Sequence, residues 1–271
     1  MSDGLAARMK AYEQAETGRR LLSGVPVLAR LDGKRFSRFT AGLERPYDAR
    51  LGKLMVETTR HLVEASSAVA GYTQSDEITL LFYADDVNTE TFLDGRVLKL
   101  TSILTSMATA YFNTHLAAAI PERAGALALF DCRVWAVPNP SEAACVFLWR
   151  EADAARNSLS TAVRCYYPHE EVEKKGGAEL HELLFGKGVN WNDYPVAFKR
   201  GTYILRRTIV RAFSVEERAQ LPPRHDAHAN PDLRVTRTEL RAVELPPMSR
   251  VTNRVAVLFE QAEPRTLAVD G

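Results

Sequence analysis

Only three residues, Gln74-Ser75-Asp76, separate two short apolar runs at residues 68–73 and 77–83. Runs this short and this close, rich in Thr, Tyr, Ile and Leu, predict a tight β-hairpin. What flanks the hairpin narrows the fold further. Upstream, residues 25–31 predict a strand, with Pro26 tolerable at its beginning. Residues 48–66 predict a helix: Asp48 is a suitable cap, and Leu51, Leu54, Met55, Thr58, Leu62 and Ala65 recur at helical spacing. Downstream, Asp85 and Asp86 fall in a polar loop, and residues 96–120 predict a long helix closed by Pro121. Residues 127–137 predict a strand ended by Pro138-Asn139-Pro140.

The resulting order is β-α-β-β-α-β. It predicts an α+β protein with the ferredoxin-like split βαβ arrangement, which is also the core of polymerase palms and RNA-recognition domains. In that arrangement strands one and three are antiparallel central neighbours. The end of strand one then lies beside the start of strand three. Those two ends carry Asp32 and Asp76, so topology alone predicts that the two carboxylates meet.

The second half reads differently. Residues 141–167 predict a helix, 179–185 a short helix stopped by Gly186, and 188–195 a loop. Residues 201–213 are β-rich, 221–231 form a loop rich in Pro, His and Asp, and 251–259 predict a last strand. The expected division is a palm-like catalytic core over 1–138 and a C-terminal helical and β-hairpin extension over 139–271 that packs on it. No internal repeat or low-complexity tract is present.

Two aspartates brought together at strand ends make a site for hard divalent cations, and a two-metal site handling nucleoside triphosphates is its natural use. In Asp32-Gly33-Lys34-Arg35, Gly33 lets the backbone approach a ligand, and its carbonyl can add an oxygen ligand. The N–H groups that follow can cradle phosphates. Taken alone, the segment reads as an ordinary strand-to-helix turn. Ser75-Asp76-Glu77 is just as ambiguous, because Ser and Asp are common turn formers. If both lie in the strand, Asp76 and Glu77 should point to opposite faces; Asp76, at the strand's mouth, is taken as the one beside Asp32, and Glu77 as structural. Arg96 and Lys99 lie three apart at a helix start, where cations are unfavourable unless an anion is bound; an exposed polar first turn accounts for them too.

Composition excludes several classes. Of the 271 residues 46% are apolar and 25% charged, and no apolar run is long enough for a membrane span. The first residues lack the apolar core of a signal peptide. Cys132, Cys145 and Cys165 are scattered and odd in number, which fits reduced thiols in a cytoplasm rather than a zinc site or disulfide frame. The six histidines show no metal-binding helix spacing, and no nucleophile triad stands out. Net charge is +1, yet between Lys199 and Arg254 basic residues outnumber acidic ones, as in a nucleic-acid-binding patch or a solvated surface.

Several stretches resemble the tRNA(His) guanylyltransferase family: Arg30-Leu31-Asp32-Gly33-Lys34-Arg35-Phe36, Gly71-Tyr72-Thr73-Gln74-Ser75-Asp76-Glu77, Phe130-Asp131-Cys132-Arg133, Trp149-Arg150-Glu151-Ala152-Asp153 and Glu182-Leu183-Leu184-Phe185, followed by Lys199-Arg200-Gly201-Thr202. The resemblance runs in order from about residue 20 to 205. It implies a palm-like core that adds nucleotides in the 3′–5′ direction to the 5′ end of RNA. It implies that Asp32 and Asp76, with the Gly33 carbonyl, hold two Mg²⁺ ions. It implies that Asp32, Gly33, Lys34, Arg35, Phe36 and Ser37, with Ser75 and Asp76, bind the incoming triphosphate, and that Arg30, Arg96 and Lys99 contact nucleotide phosphates. GTP and other nucleoside triphosphates would be substrates, with ATP a candidate for activating the 5′ end. tRNA would be the partner, held in part by Arg150, Asn157, Lys199 and Arg200, and the assembly a homotetramer with no membrane association. Where eukaryotic members carry His-Ile-Asn-Asn, this chain reads Ala155-Arg156-Asn157-Ser158, which resembles the bacterial branch that repairs truncated tRNA 5′ ends by templated addition. Dedicated tRNA(His) guanylylation, a palm-type nucleotide cyclase and a non-catalytic RNA-recognition module are the alternatives. Against the last, the first strand has no aromatics for base stacking.

Overall fold

The computed structural model describes residues 3–84 and 92–267. In chain order its elements are α1 (Asp3–Thr17), β1 (Val27–Gly33), α2 (Phe36–Phe39), α3 (Ala49–Ala65), β2 (Ala70–Gln74), β3 (Glu77–Phe82), α4 (Val97–Ala119) and β4 (Phe130–Ala136), followed by α5 (Pro140–Val163), α6 (His169–Val172), α7 (Gly177–Phe185), α8 (Val196–Arg200), β5 (Thr202–Ala212), α9 (Val215–Gln220), β6 (Arg234–Val243) and α10 (Arg254–Phe259). The strands form one antiparallel sheet in the order β4-β1-β3-β2-β5-β6. The first four take the order expected from the segment pattern, with β1 and β3 as central neighbours. β5 and β6 continue the same sheet beyond β2.

Period-two alternation splits the strands between two cores. Ala29, Leu31, Ile78 and Leu80 face α3 and α4, where they bury with Leu54, Met55, Leu62, Leu104 and Phe112. Leu28, Ala70, Tyr72 and Leu81 face the other way, against Phe147 of α5, Tyr203 and Leu205 of β5, and Val257 and Leu258 of α10. The two sheet faces are thus both covered. Because positions 28, 30 and 32 share a face, Arg30 and Asp32 lie on the α5 side.

Local chemistry sets the helices. The Asp48 carboxylate accepts the Arg50 N–H at 2.9 Å, capping α3 as expected. Asn139 caps α5 by accepting the Glu142 N–H, with Pro140 in the first turn, where its missing N–H costs nothing. Gly71 lets β2 approach α3 closely: a Cβ there would lie 2.6 Å from Val63 and 2.9 Å from Thr59.

Three expectations change. Residues 251–259 are not a strand: only Val251 bridges, to Thr266, and Arg254–Phe259 is helical. Burying the adjacent pair Val257 and Leu258 suits a helix face packed on α5, whereas in a strand they would point apart. β6, rich in arginines although Leu240 and Val243 pack against the two cores, and α1, exposed along its length, have no counterpart in the expected elements. Asp85 and Asp86 lie outside the described residues. Among the described residues no helix is long and apolar enough to cross a membrane.

Candidate active site

β1 ends in Asp32-Gly33, and β3 begins just after the Ser75-Asp76 turn. The Gly33 N–H donates to the Asp76 carbonyl at 3.1 Å, tying the two acidic turns together. Ser75 turns in the left-handed region at φ 55°, and its hydroxyl donates to Asp76 Oδ1 at 3.1 Å. Burial, and then the neighbouring Asp32 charge, push the Asp76 carboxyl up to about 6. Two carboxylates therefore compete for one small space.

Register adds two acids that sequence reasoning did not place there. Asp32 lies opposite Glu77 on β3 and opposite Asp131 on β4, so all three share the α5 face. Asp76 lies outside β3, so the opposite-face expectation does not apply: Glu77 faces the Asp32 side, and Asp76 reaches it from the turn. Glu77 differs in being neutralised. Its oxygens accept from Arg150 Nε at 2.6 Å and Arg150 Nη2 at 2.8 Å, and Arg30 Nε lies 4.0 Å away. Burial raises the Glu77 pKa, against the pull of Arg150. Trp149 braces this clamp, its ring centroid 4.5 Å from the Arg150 guanidinium and 5.6 Å from that of Arg30. Asp131 stands 3.7 Å from Arg133. Among the described residues Asp32 and Asp76 have no cationic partner.

The turn after β1 is held from below. Phe36 buries against Phe39, Phe112 and Phe130, with ring centroids 4.9, 5.7 and 5.5 Å away. A Cβ on Gly33 would lie 2.2 Å from the Phe36 ring, so the turn requires glycine. Arg35 adopts φ 56°, and Lys34, Arg35 and Ser37 are exposed. Among the described residues the N–H groups of Arg35, Phe36 and Ser37 have no backbone acceptor, which leaves them able to meet phosphate oxygens.

These residues fit a magnesium site. Asp32 and Asp76 supply unneutralised carboxylates, and the Gly33 carbonyl belongs to the same turn. No group of three or more His, Cys, Asp or Glu suited to a metal occurs among the described residues. Mg²⁺ needs no such cage: it commonly binds one or two carboxylates and completes its shell with water and substrate phosphates.

Other expected site residues lie elsewhere. β3 runs away from the Asp76 turn, and α4 starts beyond its far end, where Phe82 pairs with Val27. Arg96, the residue before α4, and Lys99 in its first turn therefore sit at the opposite end of the sheet; Arg96 lies 3.6 Å from Asp94. Arg150 is engaged within the protein: its partners Glu77 and Asp153 are both carboxylates it reaches from a buried position. Lys199 and Arg200 also turn inward. Lys199 is 8% exposed, donates to the Asn192 carbonyl and covers the Trp191 ring. Arg200 donates to the Leu245 carbonyl at 3.3 Å and approaches Glu151, which is buried between the Tyr203 hydroxyl and the Met248 N–H. Asn157 is exposed on α5.

Comparison with known proteins agrees with this architecture. The family described as tRNAHis guanylyltransferase matches residues 6–138. A "bacterial tRNA(His) guanylyltransferase (Thg1)-like protein in complex with GTP" aligns with a TM-score of 0.70 and 30% identity over 91% of this chain and 94% of its own. A structure of the same description in complex with ATP aligns with a TM-score of 0.70 and 35% identity, over 74% of this chain and 88% of its own. The tRNA(His) guanylyltransferase of Schizosaccharomyces pombe is 30% identical over 215 residues, 74% of this chain and 80% of its own length. With the coverage, the shared fold and the acidic turns in place, the chain belongs to the tRNA(His) guanylyltransferase family and is a nucleotidyltransferase.

Proposed function

We propose that this nucleotidyltransferase adds nucleotides in the 3′–5′ direction to the 5′ end of tRNA and selects each by pairing with the opposite strand. The observation that carries the chemistry is the hydrogen bond from Gly33 to the Asp76 carbonyl, which holds two unneutralised aspartates at one mouth of the sheet. Asp32 and Asp76, with the Gly33 carbonyl, would hold Mg²⁺. The metal, when bound, would lower the pKa of the attacking hydroxyl and offset charge on the leaving phosphate. The chain's own groups do the positioning. The free N–H groups of residues 35–37 and the exposed Ser37 and Ser75 hydroxyls receive the triphosphate. The Arg150–Glu77–Arg30 clamp fixes β3 opposite Asp32. The GTP and ATP complexes of the bacterial relatives support nucleoside triphosphates as substrates.

A site built of carboxylates and backbone N–H groups reads phosphates, not bases. Base choice must therefore come from outside it, and the facing strand of the acceptor stem is the simplest source. Ala155-Arg156-Asn157-Ser158 lies on α5 in place of the eukaryotic His-Ile-Asn-Asn, which supports repair over dedicated guanylylation. The second reading, an enzyme dedicated to adding guanosine to tRNA(His), is favoured by the names of the fungal relatives. A set of 5′-truncated tRNAs that differ only in the facing base separates the two. Under the proposal the added nucleotide follows the facing base in several tRNA species; guanosine added to tRNA(His) alone, whatever it faces, supports the second reading.

A further inference from the structure

The turn after Gly33 has a second flank. β1 lies between β3 and β4, and the Asp76 turn borders it on the β3 side. On the β4 side the Lys34 N–H donates to the Leu129 carbonyl at 2.8 Å. Around that bond opens a cleft of about 420 Å³. Lys34, Arg35, Arg38 and Arg123 rim it, and Phe39, Leu127 and Leu129 form its apolar floor.

Three observations define what this cleft fits. The first is charge. No acidic side chain lines it, and among the described residues none of the four cations pairs with a carboxylate; Arg123 donates to the Ala41 carbonyl. The second is the floor. Leu127 and Leu129 leave 68% and 42% of their surface in solvent, an apolar patch inside a ring of positive charge. Phosphates beside exposed flat bases match that combination, as in other grooves for single-stranded nucleic acid. The third is position. The cleft begins at the residue after Gly33, on the flank of β1 opposite the Asp76 turn.

We propose that this cleft holds the single-stranded 3′ end of the tRNA whose 5′ end is being extended; the inference rests on tRNA being the substrate. At the tip of an acceptor stem the 5′ end and the 3′ overhang leave the duplex together. A 5′ end seated at Asp32 and Asp76 carries the overhang to one side of β1. The β4 side supplies cations for its phosphates and apolar side chains for its bases. Phe36 and Phe39, the two ends of α2 with their rings in contact, hold the backbone that presents Arg35 and Arg38.

The test compares a tRNA with the same tRNA lacking its single-stranded 3′ tail, using wild type, Arg38→Glu and Leu127→Asp. Both substitutions are at exposed positions outside the carboxylate site, and thermal unfolding confirms that each variant is folded. Wild type should bind the shortened RNA on the order of tenfold more weakly. Each variant should bind both RNAs about as wild type binds the shortened one. For Arg38→Glu the slope of log affinity against log salt should fall by about 0.7 for each phosphate that is no longer neutralised. Wild type indifferent to the tail, or variants weakened equally on both RNAs, overturns the proposal. A raised KM for GTP in Arg38→Glu, the same with either RNA, assigns the cleft to a free nucleotide and also overturns it. Normal 5′ addition by wild type alongside these negative results leaves the proposed function standing. Absence of addition to any tRNA removes both.

Discussion

Asp76 is where chemistry and stability conflict most openly. Its carboxyl is pushed up to about 6 by burial and by Asp32. A carboxyl with a raised folded pKa binds its proton more tightly when folded. Its stabilising contribution is therefore complete below the ordinary carboxylate range and is lost as pH rises through about 6. Asp76→Asn should remove that loss. In EDTA the variant should gain on wild type between about pH 4 and 6 and keep a lead of roughly 1–2 kcal/mol above it, once partial solvent access is allowed for. Urea unfolding across this range measures the gain. Mg²⁺ should then raise the Tm of wild type and not that of the variant, and 5′ nucleotide addition should be lost in Asp76→Asn. A variant less stable than wild type at pH 7 in EDTA contradicts the account. The pair Asp32 and Asp76 was legible in the sequence because each closes an apolar run at a turn. The Glu77–Arg150 clamp was not, since residues 73 apart meet only through packing of α5 on the sheet. For the same reason the inward partners of Arg150, Lys199 and Arg200 were not legible either.

At the scale of elements, the β-α-β-β-α-β order could be read because each piece carries one clear period and one clear stop. Asp48 before α3 and the two-residue turn between β2 and β3 are such stops. β6 could not be read: Leu240 and Val243 pack against the two cores, but most of the strand is polar, so its arginines hide it. Val251 to Phe259 misled because β-branched residues suit either state until packing decides. Two predictions belong here. Gly71→Ala should cost about 1–3 kcal/mol, because the new methyl collides with α3 at Val63 and Thr59; a urea midpoint equal to that of wild type would refute this close packing. The β5–β6 ribbon presents the exposed Arg234 and Arg237 and the half-buried Arg206, whereas Arg211 and Arg241 are occupied by Glu217 and Glu239. We propose that the three hold tRNA phosphates. Reversing them to Glu should weaken tRNA binding and flatten its salt dependence, whereas reversing Glu216, also exposed, should not. Unchanged affinity and slope in the triple variant would leave the ribbon a solvated surface.

At the scale of the whole molecule, α1 bears on assembly. α1 is exposed along its length, and Leu5, Met9 and Tyr12 recur along it at near-helical spacing. A 15-residue helix without tertiary packing is marginal in water. Burial of that stripe against another copy would stabilise it, and the homotetramer implied by the family resemblance is our proposal. Light scattering should give four chains at working concentration, and Leu5→Asp with Met9→Asp should lower that number. A monomer, or a wild-type mass in the double variant, rules out α1 as the contact.

The bond between Gly33 and Asp76 also has a consequence for how the protein is made. It joins segments 43 residues apart, with α3 and β2 between them. The β2–β3 hairpin can form early and alone, because its contacts are local, but β1 reaches β3 only after that loop has closed. A chain stalled with only its hairpin therefore has Asp76 and no Asp32 beside it. Such a chain has no assembled cation site and gains nothing from magnesium. Return of catalytic competence in a refolding experiment should accordingly follow completion of the sheet rather than the first appearance of secondary structure.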